Sequence, residues 1–300
     1  MSQTLEQLKR QNQTLSSIGG IVRTMKTLSA INAPPYEQAA HASENFQQTV
    51  LDGFAAFAFA HGGLPSGPRK KPAHRLVVAC GSDHGLCGGY HDHLARQIAR
   101  HWDAFSGREQ RLLCVGVQLQ RALEDRNMDV AHYLMPAASV DGITRLAGEI
   151  VSWTDRYTRR FSQGDWAIEL AYVQRTEQGG QQPLIVPLLP LPAHLLQAQR
   201  RWPGGSLPML GMEAKALLAA LVRHFVFGRV FRALAEALAT ENAARLALMQ
   251  QAERSVDERL GDLNQAINTH RQDEITNELM DVMMGFEQFH GAADRTGSGQ

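Results

Sequence analysis

Residues 80–93 read Cys80-Gly-Ser-Asp-His84-Gly-Leu-Cys87-Gly-Gly-Tyr-His91-Asp-His93 and hold the side chains of this chain best suited to chemistry. Three kinds of site could use them. A glycine-rich turn between a strand and a helix offers backbone N–H groups to phosphate. The Gly-x-x-x-x-Gly-Lys-Ser/Thr spacing is absent, however, and Gly85, Gly88 and Gly89 do not fit Gly-x-Gly-x-x-Gly. His84, His91 and His93 with Cys80 or Cys87 could ligate a metal, but the paired Cys-x-x-Cys spacing is missing. Cys87 beside a histidine could act as a nucleophile, although neither residue order nor context supports it. The pattern therefore predicts a tight structural turn at Gly85, Leu86, Cys87, Gly88 and Gly89, with no catalytic, cofactor-binding or metal-ligating set.

The bulk composition narrows the classes further. The chain has 300 residues, 44% apolar and 20% charged, enough to bury a substantial core. Thirty Lys and Arg balance thirty Asp and Glu, which argues against a protein that coats nucleic acid or anionic lipid. The longest apolar stretches, 54–60 and 183–192, fall short of the roughly 20 residues that a membrane-spanning helix needs. The opening Met1-Ser-Gln-Thr-Leu-Glu-Gln-Leu-Lys predicts no secretory signal. Cys80, Cys87 and Cys114 are expected to be free thiols of a reducing compartment.

Three textures must position the turn. In residues 1–33, Leu8, Gln11, Leu15, Ile18, Val22 and Met25 recur at steps of three and four, a heptad seam with one polar member. This predicts a shaft helix over residues 1–61 that stops or kinks at Pro34-Pro35, because each proline lacks a donor and clashes with the preceding turn. Glycines and prolines mark a linker over 62–74. Residues 75–192 then alternate strand-like runs, at 76–80, 112–117, 166–173 and 184–189, with helical spacers around 92–101, 118–126 and 143–160. Alternation of this kind predicts an α/β domain with a mainly parallel sheet.

A second linker is expected at 193–212, then a shaft helix over 213–289 and a disordered tail at 290–300. No proline follows Pro208, and Met249, Ala252, Val256, Leu260, Leu263 and Ile267, then Ile275, Leu279, Val282, Phe286 and Phe289, keep a repeat near 3.6. Such a stripe needs a partner, and the seam of the first helix is free. Charge agrees: Lys9, Arg10, Arg23 and Lys26 face only Glu6 in residues 1–33, whereas residues 241–289 carry ten acidic residues against four basic. The fold class expected is α/β: a long two-helix coiled coil formed by the N- and C-terminal segments, with an inserted Rossmann-like α/β domain.

Taken in order, these residues resemble the gamma subunit of the F-type ATP synthase, the central rotor shaft. Ile21-Val-Arg-Thr-Met25 stands where that family has a basic residue two before a shaft methionine. Ser82-Asp-His-Gly-Leu-Cys-Gly-Gly89 is similar to its Asp-Arg-Gly-Leu-Cys-Gly-Gly turn, and Leu188-Leu-Pro-Leu-Pro192 to its strand ending. Glu241-Asn-Ala-Ala-Arg245 with Met249, then Asn268-Thr-His-Arg-Gln272, Ile275-Thr276 and Glu278-Leu279, look like the signature of its last helix. The chain departs from the family at Ala30-Ile-Asn-Ala-Pro-Pro-Tyr36 and at His84, which replaces the usual arginine by a group that titrates near pH 6.5. Thr4-Leu-Glu-Gln-Leu-Lys-Arg and Val22-Arg-Thr-Met-Lys-Thr-Leu are similar to the divergent branch of alternative, sometimes sodium-coupled, F-type ATPases.

The resemblance implies a noncatalytic rotor that couples ion transport to ATP synthesis or hydrolysis. It implies as partners the alpha and beta subunits of the catalytic hexamer, the epsilon subunit and the membrane c-ring, at the cytoplasmic face of the plasma membrane. No nucleic acid, direct small-molecule substrate or cofactor is implied. Arg23, Met25, Lys26, Arg245, Arg271, Gln272, Thr276 and Glu278 are the positions that it marks as rotor–stator contacts; read by themselves, they are ordinary solvated helix faces around a core methionine. Two other readings stay open: an α/β nucleotide-binding enzyme with its site near residues 85–90, and a coiled-coil adaptor.

Overall fold

The computed structural model describes residues 4–61, 72–105, 107, 109–161, 166–176, 178–196, 206–209 and 211–296. Helix α1 spans Leu5–His61 and helix α5 spans Ala214–Thr296. Between them lie β1 (His74–Cys80), α2 (Tyr90–Asp103), β2 (Glu109–Val115), α3 (Val117–Glu124), β3 (His132–Leu134), α4 (Val140–Phe161), β4 (Trp166–Arg175) and β5 (Gln181–Leu189). The chain divides into two units, Met1–Thr27 with Met249–Gln300, and Leu28–Leu248.

The first unit is an antiparallel helix pair. Its direction follows from three cross-links: Asn12 Nδ2 donates to Asn264 Oδ1 at 2.8 Å, Arg23 Nη2 to Asp257 Oδ1 at 2.9 Å and Lys26 Nζ to Glu253 Oε2 at 2.6 Å. As α1 rises in number, α5 falls. Leu8, Val22, Met249 and Val256 are buried along the seam. The expected register needs one correction: Gln11 and Ile18 are exposed, and Asn12 and Gly19 occupy the seam instead. The physical reason is close approach, since a Cβ on Gly19 would stand 3.1 Å from Val256 Cγ1, which leaves no room for a branched side chain at that level. From Arg271 to Met284 every residue of α5 is exposed, including Ile275, Leu279, Val282 and Met283.

The second unit is a three-layer sandwich. The sheet order is β3-β2-β1-β4-β5, with β4 and β5 antiparallel and the other pairs parallel. Both faces are covered, so the central strands are apolar on alternate sides rather than on one. Leu76, Val78 and Cys80 of β1 face a core that includes Ile143 and Ile150 of α4 and Val230, Leu234 and Leu238 of α5, whereas Val77 and Ala79 face Tyr90, Leu94 and Ile98 of α2 and Leu119 of α3. The mainly parallel sheet matches the expectation; the three-residue β3 is the strand that periodicity had not marked. It is too short to show alternation, and it exists because Leu113, Cys114 and Val115 offer it a ladder.

Two expectations about the helices change. Pro34 and Pro35 lie inside α1, so of the stop or kink expected there the helix does not stop. The segment around them is held by packing, with Ala33 and Tyr36 buried and Ala39 and Ala40 against the sheet core; burial outweighs the loss of two backbone donors. At the other end, 290–296 are helical rather than a disordered tail, and 297–300 lie outside the described residues. With no proline after Pro208, nothing in that stretch breaks the ladder. Of the expected linkers, 62–71, 197–205 and 210 also lie outside the described residues.

Candidate functional site

The conspicuous turn sits at the carboxyl end of β1, beside β4. In an open doubly wound sheet this switch point is where ligands bind. Here the chain fills it with its own last helix. Arg245 of α5 donates from Nε to the Gly85 carbonyl at 3.1 Å and from Nη2 to the His84 carbonyl at 3.3 Å, while Glu241 forms an ion pair with its Nη2. The Tyr90 hydroxyl, at the first residue of α2, donates to the Ala237 carbonyl at 3.0 Å. The turn therefore directs carbonyls toward a cation, the reverse of a phosphate cradle.

Each residue of the turn has a local reason. Asp83 Oδ1 accepts the Val117 N–H at 2.7 Å and the Tyr133 hydroxyl at 3.1 Å, tying the turn to α3 and β3. Ser82 Oγ and His91 Nε2 are 3.1 Å apart, and Cys87 Sγ lies 3.7 Å from His91 Nδ1. Leu86 and Gly88 both have positive φ, 59° and 67°. Glycine takes that conformation freely, but for leucine it costs about 1 kcal/mol or more. Leu86 is nevertheless 57% exposed.

Burial holds the cysteines in their thiol form. Burial pushes the Cys87 thiol up to about 11 and the Cys80 thiol to about 12; Cys114 is raised by the same cause. All three are free and buried. A thiol so far from ionisation is a poor nucleophile. We expect none of the three to react with a maleimide reagent in the native chain at neutral pH, and all three after unfolding. Rapid labelling of Cys87 in the native protein would show that the turn opens. Among the described residues no group of three or more His, Cys, Asp or Glu could hold a metal ion.

His91 is pushed down to about 4 from 6.5, by burial first and by the Arg245 guanidinium second. Between those two values the unfolded histidine takes up a proton that the native one refuses, so its contribution to stability is complete above about pH 6.5 and lost as pH falls toward 4, roughly 3 kcal/mol in all. Urea midpoints measured from neutral pH down to 4 should fall more steeply in the wild type than in His91→Asn. Parallel curves would show that His91 is not the residue responsible.

The sequence-marked contact residues fall into three groups. Arg23, exposed, and Lys26, half-buried, lie on α1 and engage Glu253 and Asp257 of α5, with Met25 half-buried between them. The exposed Arg23–Asp257 pair contributes little by itself. Arg271, Gln272, Thr276 and Glu278 are exposed on α5; the Thr276 hydroxyl donates to its own helix at the Gln272 carbonyl, 2.9 Å away. Arg245 differs from all of these, because it is 6% exposed and its partner Glu241 is 2% exposed. Sequence reasoning did not select Glu241, Tyr90 or Asp83 as site residues. The i, i+4 spacing of Glu241 and Arg245 was a signal for the first of them.

A family profile described as ATP synthase matches residues 4–288. The chain is 25% identical over 297 residues to the ATP synthase gamma chain of Sinorhizobium medicae, covering 95% of this chain and 99% of that one. It is 29% identical over 222 residues to the gamma chain of Nitratidesulfovibrio vulgaris, covering 72% and 73%. The fold is similar to a chain in a structure of the Euglena gracilis mitochondrial ATP synthase, with a TM-score of 0.62 at 14% identity over 96% of this chain and 95% of that one. It is also similar to a chain in the central stalk and c-ring structure from Tetrahymena thermophila, with a TM-score of 0.57 at 18% identity over 77% of this chain and 99% of that one.

Proposed function

Because the chain belongs to the ATP synthase family, whose profile spans residues 4–288, we propose that it is the gamma-type central stalk: a rotor that carries torque between a membrane ion-translocating ring and the catalytic nucleotide-binding hexamer. The observation that carries this reading is the antiparallel pairing of the two ends of the chain, with Asn12 on Asn264 and Lys26 on Glu253. Two helices wound on each other resist twist as neither does alone.

The rotor itself is noncatalytic. Its work needs stiffness and an asymmetric surface, because coupling requires only that each orientation make different contact energies with the open and closed states of its neighbours. Its partners are the alpha and beta subunits of the hexamer, the epsilon subunit and the c-ring. Arg23, Met25 and Lys26 on one helix and Arg271, Gln272, Thr276 and Glu278 on the other face the hexamer. The chain attaches peripherally, through the complex, at the cytoplasmic face of the plasma membrane; no described helix is long and apolar enough to cross a membrane.

Purification of the assembly through a tag on this chain tests the reading. Alternating nucleotide-binding subunits and a small proteolipid should co-migrate with it. Recovery of the chain with two unrelated proteins would favour a coiled-coil adaptor instead. Saturating thermal stabilisation of the isolated chain by millimolar ATP, ADP or NAD would favour a nucleotide-binding enzyme; the Arg245 side chain over the switch point predicts none.

A further inference from the structure

Building on the central-stalk reading, we propose that Arg245, held by Glu241, is a positioning residue that locks α5 to the sheet through the turn after β1, so that the helix and the α/β body turn as one piece. Three residues along α5 make the polar part of the attachment, added to the apolar packing of Val230, Leu234 and Leu238 against the sheet. Ala237, Glu241 and Arg245 follow one another at steps of four, which places them in line along the helix. The first accepts from Tyr90, the second holds the third, and the third grips two successive carbonyls of the turn. Apolar packing is non-directional, and a single polar contact added to it would still leave the helix free to roll on that surface. Two contacts eight residues apart, at 237 and 245, fix its rotation as well as its position.

The chemistry chosen supports a directional role over simple adhesion. Among the described residues no ion pair is more deeply buried, with side chains 7% and 3% exposed. Withdrawing two charges from water costs so much that apolar residues of similar volume often hold a helix as well or better. What they could not supply is aim. A guanidinium is a rigid planar fork, and here it sets Nε on one carbonyl, a terminal nitrogen on the next, and keeps that nitrogen on a carboxylate behind. The turn it grips needs to be held. Leu86 follows the gripped carbonyls directly, at positive φ and with an exposed side chain, a conformation that persists only where the surroundings over-determine it.

The experiment uses the purified complex reconstituted into vesicles, with ATP hydrolysis and ion uptake measured on the same preparation. Arg245→Lys keeps the charge but cannot span both carbonyls; we expect assembled complexes that hydrolyse ATP while moving at least about fivefold fewer ions per ATP. Tyr90→Phe removes the second attachment and should give a smaller loss in the same direction, with the double variant worst. A residue that merely supports folding would lower the yield of complex and leave the ratio per assembled complex unchanged, so a wild-type ratio in Arg245→Lys overturns the proposal. If that variant assembles too poorly to assay, Tyr90→Phe carries the test, and a wild-type ratio there overturns it equally. Failure of the wild-type chain to co-purify with nucleotide-binding subunits sinks the central-stalk reading itself; wild-type assembly with undisturbed coupling in the variants sinks this inference alone.

Discussion

Replacing Glu241 by alanine is expected to lower the unfolding free energy of the full chain by about 3–5 kcal/mol, because the Arg245 guanidinium is left buried and charged with no carboxylate. Its two remaining partners, the carbonyls of His84 and Gly85, can accept hydrogen bonds but cannot neutralise it. Arg245→Leu should cost a similar amount by stranding Glu241, which is 2% exposed. The informative variant is the double one. Glu241→Leu with Arg245→Met removes both charges and keeps most of the volume, so its loss should be smaller than that of either single change, within about 1 kcal/mol of the wild type. Urea unfolding with an unchanged m-value reads all three. Losses that simply add in the double variant would show that the two side chains act independently. A double variant that is stable yet poorly coupled would separate what holds the helix in place from what aims it.

Gly116→Ala is the second large effect. Gly116 has φ of 92°, a conformation that side-chain-bearing residues avoid at a cost of about 1–3 kcal/mol. Space is worse than conformation: a Cβ there would lie 2.4 Å from the Ser82 nitrogen and 2.5 Å from its carbonyl carbon, both backbone atoms that cannot step aside. Its own N–H donates to the Leu134 carbonyl at 3.1 Å. The residue therefore stands where the ends of β1, β2 and β3 converge. The expected loss exceeds about 3 kcal/mol. Gly148→Ala is the control, since a Cβ at this exposed helical position meets nothing within 4 Å. It should raise stability by up to about 1 kcal/mol. A Gly116→Ala protein that unfolds within about 1 kcal/mol of the wild type would show that the strand ends are free to part.

These two sites mark where the sequence could and could not be read. The heptad spacing around Leu8, Leu15 and Val22 and the acidic excess of the last helix determined that the two ends of the chain pair, because a period of 3.5 leaves an apolar stripe that must be covered. The alternation of β-branched runs with helical spacers determined a mainly parallel sheet, since parallel strands need crossovers of helical length. The glycines of residues 85–89 marked a turn, and the histidines and cysteines around it lack the spacings that would have pointed to a metal or phosphate there.

Only the tertiary structure decided the rest, and in each case the deciding quantity was a distance between residues remote in sequence. Periodicity could not choose between Ile18 and Gly19 for the seam, because the choice depends on how closely Val256 approaches. Local rules forbid prolines in a helix interior, yet Pro34 and Pro35 sit in one, since burial of Ala33 and Tyr36 acts on the whole segment and propensity on single residues. A three-residue β3 has no period of its own and is recruited by its neighbour. Arg245, which looks from its helix like one more solvated cation, is turned inward because a turn 160 residues earlier in the chain presents it with carbonyls. Spacing along the chain carries the faces of helices and strands; which face meets which, and at what distance, is set by the packing of all of them together.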